Sequence, residues 1–326
     1  MGLFDFFKKK SAPAAAMSDR ERYGKAWLQI IGQKNCAQGL QTMKELSDEG
    51  FIEGTIALAM FTQNTSERKA LYKKAADLNH PEGLWGYSNF LEHSFVPDPD
   101  DPDDAEWESY CLKAAQCGSV DAMNEMGNIY NRRNQFPQSM YWYAMANAND
   151  FPNGQMSLNG IARKWKSEGM PYDYEETEGF TEAKYKCALF YLEMWAGEEI
   201  TTPIDEYVRM NLDGEPMAAY LTGDAFEHAD NLEMAYRMYN AIAFENDAHG
   251  LKCYADMLYT GRGVAKDLQG AFNAYQRAAE LGDRAAMFVV AEFVKKQNPN
   301  LAAYWYGVSH SRGYEHSLER MKKLAN

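Results

Sequence analysis

Nine positions, spaced 29 to 39 residues apart, constrain this chain more than any other feature: Gly50, Asn79, Gly118, Asp150, Gly179, Gly214, Asn246, Gly282 and Gly313. Only Gly, Asn and Asp occur there, the residues that best tolerate the left-handed backbone conformation that ends a helix. A helix is therefore expected to stop at each. Seven residues before these stops stand Met43, Tyr72, Cys111, Tyr143, Tyr172, Tyr207, Tyr239, Tyr275 and Tyr306, so seven of nine are tyrosine, which chance does not supply. Four residues after them come Gly54, Gly83, Ala122, Gly154, Ala183, Ala218, Gly250, Ala286 and Ser317, all small, which lets a neighbouring helix approach closely. The helix that follows carries an apolar–small pair: Leu58–Ala59, Tyr87–Ser88, Met126–Gly127, Cys187–Ala188, Tyr254–Ala255 and Val290–Ala291, with weaker copies at Leu158–Asn159 and Thr222–Gly223.

That spacing lies in the range of helical solenoid repeats. Each unit holds two helices, and neither can bury its apolar face alone, so the units must stack. No sustained period-two alternation marks strands; apolar residues cluster at helical spacing instead. The expected fold is all-α, a superhelical solenoid of about nine helix pairs over residues 19–326. The linker-like "SAPAAAMS" separates it from a flexible tail, residues 1–18. A single globular core rarely grows to 326 residues, which agrees with an extended array.

The stretch from Tyr254 to Asp283 resembles the Sel-one-like repeat, a relative of the tetratricopeptide repeat. The likeness runs through the Gly261–Gly263–Val264 loop, Lys266–Asp267, Ala271, Tyr275, the Ala278–Ala279 pair and Gly282, with Asp267 as N-cap of the second helix. It extends in degenerate copies over roughly residues 35–317, and only this unit keeps the full glycine loop. The resemblance implies a right-handed curved superhelix that holds other proteins, and it implies no reaction.

The net charge of −14 and the isoelectric point near 5.0 argue against a nucleic-acid partner, which would call for a basic stripe. The five cysteines form no C-x-x-C and are odd in number, so they are expected as reduced, mostly buried thiols. No stretch approaches the roughly 20 apolar residues of a membrane span. The start, "MGLFDFFKKK", is no secretory signal, and the cytoplasm is the expected compartment. Phe4, Phe6 and Phe7 beside Lys8, Lys9 and Lys10 allow at most a weak contact with a membrane or partner.

No catalytic, cofactor or metal site is expected. The acidic run Asp98–Asp104 places Asp103 and Ser109 where a calcium loop needs Gly and Glu, so it reads as a solvated loop. The six histidines have no zinc spacing, and His80 is expected in a turn. No nucleophile elbow, phosphate loop or dinucleotide motif occurs. The tyrosine column reads as core; Trp165 and Trp195 lie off it. Glu175 and Glu176 replace the small pair before Gly179, where the solenoid is expected to loosen.

In each first helix, positions two, six, nine and ten after the small residue point away from the core. In tetratricopeptide-like arrays this face lines a concave groove. Here it collects Trp85, then Asn124, Asn128 and Arg132, then Arg163 and Lys164. Amide and cationic donors on adjacent helices suit a carboxylate or an extended peptide backbone. The expected function is thus a non-enzymatic scaffold or adaptor that binds a protein or peptide, an acidic or C-terminal segment, in that groove. A ligand-binding module or an enzyme with its site in the groove is the alternative.

Overall fold

The computed structural model describes residues 17–169, 180–196, 220, 223, 226, 227, 230–244 and 247–326. Residues 1–16 of the tail, the stops at Gly179, Gly214 and Asn246, and Tyr172, Glu175, Glu176, Tyr207 and His228 lie outside them, as does the Trp195 side chain, while Ser18 caps the first helix. Among the described residues there are sixteen helices and no strand. In chain order they are α1 (Asp19–Ile31), α2 (Cys36–Asp48), α3 (Ile52–Phe61), α4 (Thr65–Ala76), α5 (Pro81–Ser88), α6 (Pro102–Gln116), α7 (Val120–Arg132) and α8 (Phe136–Ala148). There follow α9 (Gly154–Ser167), α10 (Glu182–Ala196), α11 (Leu232–Phe244), α12 (Ala248–Thr260), α13 (Leu268–Leu281), α14 (Arg284–Val294), α15 (Pro299–Ser311) and α16 (His316–Ala325). From α1 to α10 and again from α11 to α16, each packs on its neighbours in sequence, as a stacked array requires.

The stop column behaves as its chemistry dictates. All six described stops have positive φ: 91° at Gly50, 56° at Asn79, 99° at Gly118, 59° at Asp150, 113° at Gly282 and 79° at Gly313. The turn they make brings the next helix hard against the previous one. A Cβ on Gly83 would lie 2.5 Å from that of Ala75, so the small column touches the small pair directly.

Tyr143 and Tyr239 pack onto the small member of the apolar–small pair in their own unit, and Tyr72 onto Gly86 of the following helix. A Cβ on Gly127 would stand 2.5 Å from the Tyr143 ring, and one on Gly223 would stand 2.3 Å from that of Tyr239. Tyr143, Tyr239, Tyr275 and Tyr306 are buried, as are Met43 and Cys111; Tyr72 is half-buried. The hydroxyl finds a partner ten residues after the stop: Tyr143 donates to Asn128 Oδ1 at 2.7 Å, Tyr275 to Asp256 and Tyr306 to Glu292. Each ring is thus apolar body inside, polar tip at the edge of the core. Asp267 caps α13 as expected, accepting from the Gln269 and Gly270 amides at 3.0 and 2.9 Å.

The ends of the array meet. Helix α1 packs along α15 and against α16, almost the whole chain away. Tyr23 and Tyr304 sit edge-to-face with centroids 5.7 Å apart, Trp27 meets His310 at 6.0 Å, and the Arg20 guanidinium lies over Tyr304 and Trp305. Asn298, which caps α15, donates to Glu21 at 2.7 Å. The backbones are so close that a Cβ on Gly24 would fall 1.8 Å from the Asn300 carbonyl oxygen. One hydrophobic cluster therefore joins residues 23–57 to residues 251–321, and a second runs over residues 76–192. The solenoid closes on itself.

Two local readings change. His80 is the N-cap residue of α5 and is buried, its Nε2 facing Glu53. The acidic run is only partly solvated. Asp101 caps α6, and buried Asp104 accepts from the Ser94 and Asp98 amides at 2.5 and 2.9 Å. Those backbone bonds hold the Asp104 carboxyl below its usual range. The run is loop architecture, and no group of metal-ligating side chains occurs among the described residues.

Candidate functional site

Closure turns the starts of several first helices toward one another, and they carry charge. Glu53 lies on α3, Glu82 on α5, Asp121 on α7, Arg284 at the head of α14, and Arg312 after α15. Arg284 ties this hub together with backbone acceptors from distant turns: Asn149 O at 3.1 Å, Asp150 O at 2.7 Å and Arg312 O at 2.8 Å. Glu53 Oε1 sits 3.4 Å from His80 Nε2 and 3.9 Å from Arg312, while its Oε2 is buried with no partner among the described residues. Burial would raise the Glu53 carboxyl, but the His80, Arg312 and Arg20 charges outweigh it and the net direction is down. Glu82 has no such direct pair, and burial pushes it up to about 7 against the pull of Arg312 and Arg284. Burial likewise raises Asp121 and lowers Arg284.

Three of the hub's side chains, Glu53, Glu82 and Asp121, stand three residues after a stop. The same column holds Glu182, His249 and His316, so it was visible as a run of titratable residues at one repeat offset. What hid it is that a polar residue in the first turn of a helix ordinarily caps or faces water.

The outward positions of the first helices line cavities. One, about 780 Å³, lies between α9 and the turn into α16. Asn153, Asn159 and Arg163 line one side and Tyr314, Glu315 and His316 the other. A second, about 390 Å³, is lined by Trp85 and Asn89 with Met60, Arg68 and Tyr72. A third, about 230 Å³, is lined by His249, Lys252, Cys253 and Asp256 of α12 with Asp150 and Arg262.

The six candidate groove residues are divided by this geometry. Arg163 is exposed in the first cavity, its Nε held by Asn159 O at 3.1 Å. Trp85, half-buried, lines the second. Asn128 and Arg132 share Glu125, at 2.7 and 3.0 Å, and Arg132 also lies 4.8 Å from the Phe95 ring centroid. Lys164 donates to the Asn131 side chain and carbonyl at 2.9 and 3.2 Å and lies over Phe136. Asn124 is half-buried, with an Oδ1 that has no partner among the described residues. Glu125, not read from the sequence, therefore neutralises much of the α7 donor cluster, which leaves Arg163 as the most open cation of the six.

Among the described residues no helix is long and apolar enough to cross a membrane. No family model matches the chain, and no curated protein matches it. Among solved structures it is similar to a protective antigen present in uropathogenic Escherichia coli strains that displays an SLR fold. The identity there is 15%, over 93% of this chain and 79% of that one, with a TM-score of 0.36. It is also similar to a Sel1 repeat protein from Oxalobacter formigenes, at 16% identity over 90% of this chain and 99% of that one, with a TM-score of 0.28. The repeat assignment stands on the junction rule in the molecule itself: stop, small residue, apolar–small pair and buried tyrosine. This chain is an all-helical repeat solenoid whose units resemble Sel-one-like repeats.

Proposed function

We propose that the chain is a protein-interaction scaffold rather than an enzyme, and that it takes an acidic or C-terminal segment of another protein in the cavity between α9 and α16. The observation that carries this reading is that cavity, with amides of Asn147, Asn153, Gln155 and Asn159 and the exposed Arg163 on its walls. Side-chain amides both donate to and accept from an extended backbone, and a guanidinium takes a carboxylate in bidentate fashion. Asn124, Asn128, Arg132 and Lys164 on α7 and α9 continue the donor surface, and Trp85 offers an apolar contact farther along. An acidic segment is repelled elsewhere by a net charge of −14 and is received at this cluster.

The test is capture of native partners by wild type and by Arg163→Glu, over a salt series. The reversal is expected to weaken capture about tenfold with helicity unchanged, and binding is expected to fall with salt as screening sets in. Equal capture by both proteins would remove the cavity from the account.

A further inference from the structure

The third cavity holds an arrangement the scaffold reading does not use. Cys253 and His249 lie four residues apart on α12, so they share a helix face. The Cys253 Sγ stands 3.5 Å from His249 Nε2. The other ring nitrogen, Nδ1, is buried and stands 3.7 Å from Oδ2 of Asp283, which comes from the next unit as N-cap of α14. Tyr220 packs edge-on to the imidazole at 4.7 Å. A thiol, an imidazole in reach of its proton and a carboxylate within ion-pairing distance of the imidazole are the parts of an activated nucleophile. The first and second are legible as His249-x-x-x-Cys253; the third is not, because Asp283 reaches the pair only when the units stack.

We propose that Cys253 is a nucleophilic thiol, activated by His249 and Asp283, that forms a mixed disulfide with a small amino-acid thiol. The cavity of about 230 Å³ admits only a small group. Its charged lining has both signs, with Lys252 paired to Asp256 at 3.0 Å, Arg262 paired to Glu227 at 3.4 Å and Asp150 beside them, so a ligand carrying both an ammonium and a carboxylate can exchange partners with these pairs. Cys253 Sγ attacks one sulfur of a low-molecular-weight disulfide while its proton passes to His249 Nε2. The protein–ligand S–S bond forms, the ligand's S–S bond breaks, and the departing thiolate takes the proton back from His249. Cys253 is oxidised, the leaving sulfur is reduced, and the ligand disulfide is the oxidant.

Charges from every packed element bear on the pair. Lys252 neighbours it on α12, Asp283 faces it from α14, Asp150 from the α8 turn, and Asp256, Glu227 and Arg262 complete the rim. Burial would keep His249 neutral, but Cys253 and Asp283 outweigh it and the net direction is up. Burial also raises the Asp283 carboxyl, and His249 and Lys252 together bring it below its usual range.

The chain carries its own controls, because Cys36 and Cys117 are exposed and no histidine is bonded to either among the described residues. The full-length protein is treated with cystine at pH 6.5, and modification is read residue by residue by mass spectrometry. Cys253 is expected to react at least about tenfold faster than Cys36 and Cys117. His249→Gln should bring it down to their rate, with Cys36 and helicity unchanged. Asp283→Asn, which keeps a capping side chain on α14, should slow it by a smaller factor. Cys253 reacting no faster than the exposed pair, or at the same rate in His249→Gln, would overturn the assignment. Rapid reaction with iodoacetamide but not with cystine would overturn the disulfide chemistry.

Discussion

The array has two kinds of helix junction, and they are built differently. Inside it, as where α13 packs with α12 and α14, a tyrosine ring lies on a small residue and its hydroxyl is accepted by a side chain ten residues after the stop, Asp256 in the case of Tyr275. At the closing junction Tyr23 and Trp27 of α1 fill the corresponding space against Gly307 of α15. There the Tyr23 hydroxyl and the Trp27 Nε1 are buried with no hydrogen-bond partner among the described residues. Each such group costs about 1–3 kcal/mol. The closing junction thus has the apolar contact of the others without their polar satisfaction, and it lacks the short covalent turn that holds internal neighbours together. It should be the first place where the closed array opens.

Emptying either junction is expected to have the largest effect. Tyr275→Ala and Trp27→Ala should each cost about 3–5 kcal/mol in denaturant unfolding, as large buried aromatics do. The two should differ in form. Trp27→Ala releases α1, so the α1 amides lose hydrogen-exchange protection while those of α13 keep theirs; Tyr275→Ala loosens α12 to α14 and leaves α1 protected. Matching exchange patterns would erase the distinction between the junctions.

The hub between the two core clusters gives a smaller, pH-dependent effect. Glu82 titrates near 7 in the folded chain against 4.5 for the free side chain, so between those values the folded state holds a proton that the unfolded state has lost. Its contribution to stability therefore falls as the pH rises through that window. Glu82→Gln removes this loss, and the variant should exceed wild type by about 1–3 kcal/mol at pH 8, with the gap shrinking toward pH 4.5. Parallel stability profiles for the two proteins would show that Glu82 does not titrate in the hub. Smaller still, Tyr275→Phe keeps the ring and deletes only the bond to Asp256, for about 1 kcal/mol. Because Tyr23 has no such bond, Tyr23→Phe should cost nothing or stabilise slightly.

The sequence carried the local half of this architecture. A positive φ admits few side chains, so Gly50, Asn79, Gly118, Asp150, Gly282 and Gly313 announced the helix ends, and Tyr275 and Ala286 announced the packing around them. Closure was not legible. It is the sum of small rotations over many units, and no residue of α1 marks Asn300 or Tyr304 as its neighbour. The site divided in the same way. Helix geometry alone puts Arg163 and Trp85 on outward faces, and in the structure each lines a cavity. Asn128 and Arg132 read as open donors because Glu125, one turn before the first and two before the second, was not counted against them. The buried Glu53–His80 pair was missed because its two members come from different units.

The closed array is the central claim, and a cross-link across its seam tests it most directly. Glu21 and Asn298 touch at 2.7 Å although 277 positions separate them. With Cys36, Cys117 and Cys253 replaced by Ser, Glu21→Cys/Asn298→Cys is treated with a short bismaleimide at low protein concentration, and the products are separated on a denaturing gel. Closure predicts one monomeric species of altered mobility in high yield, formed before unfolding and lost when Trp27→Ala is added. Unreacted monomer, or cross-links only between separate chains, would mean that α1 and α15 do not meet and that the solenoid is open.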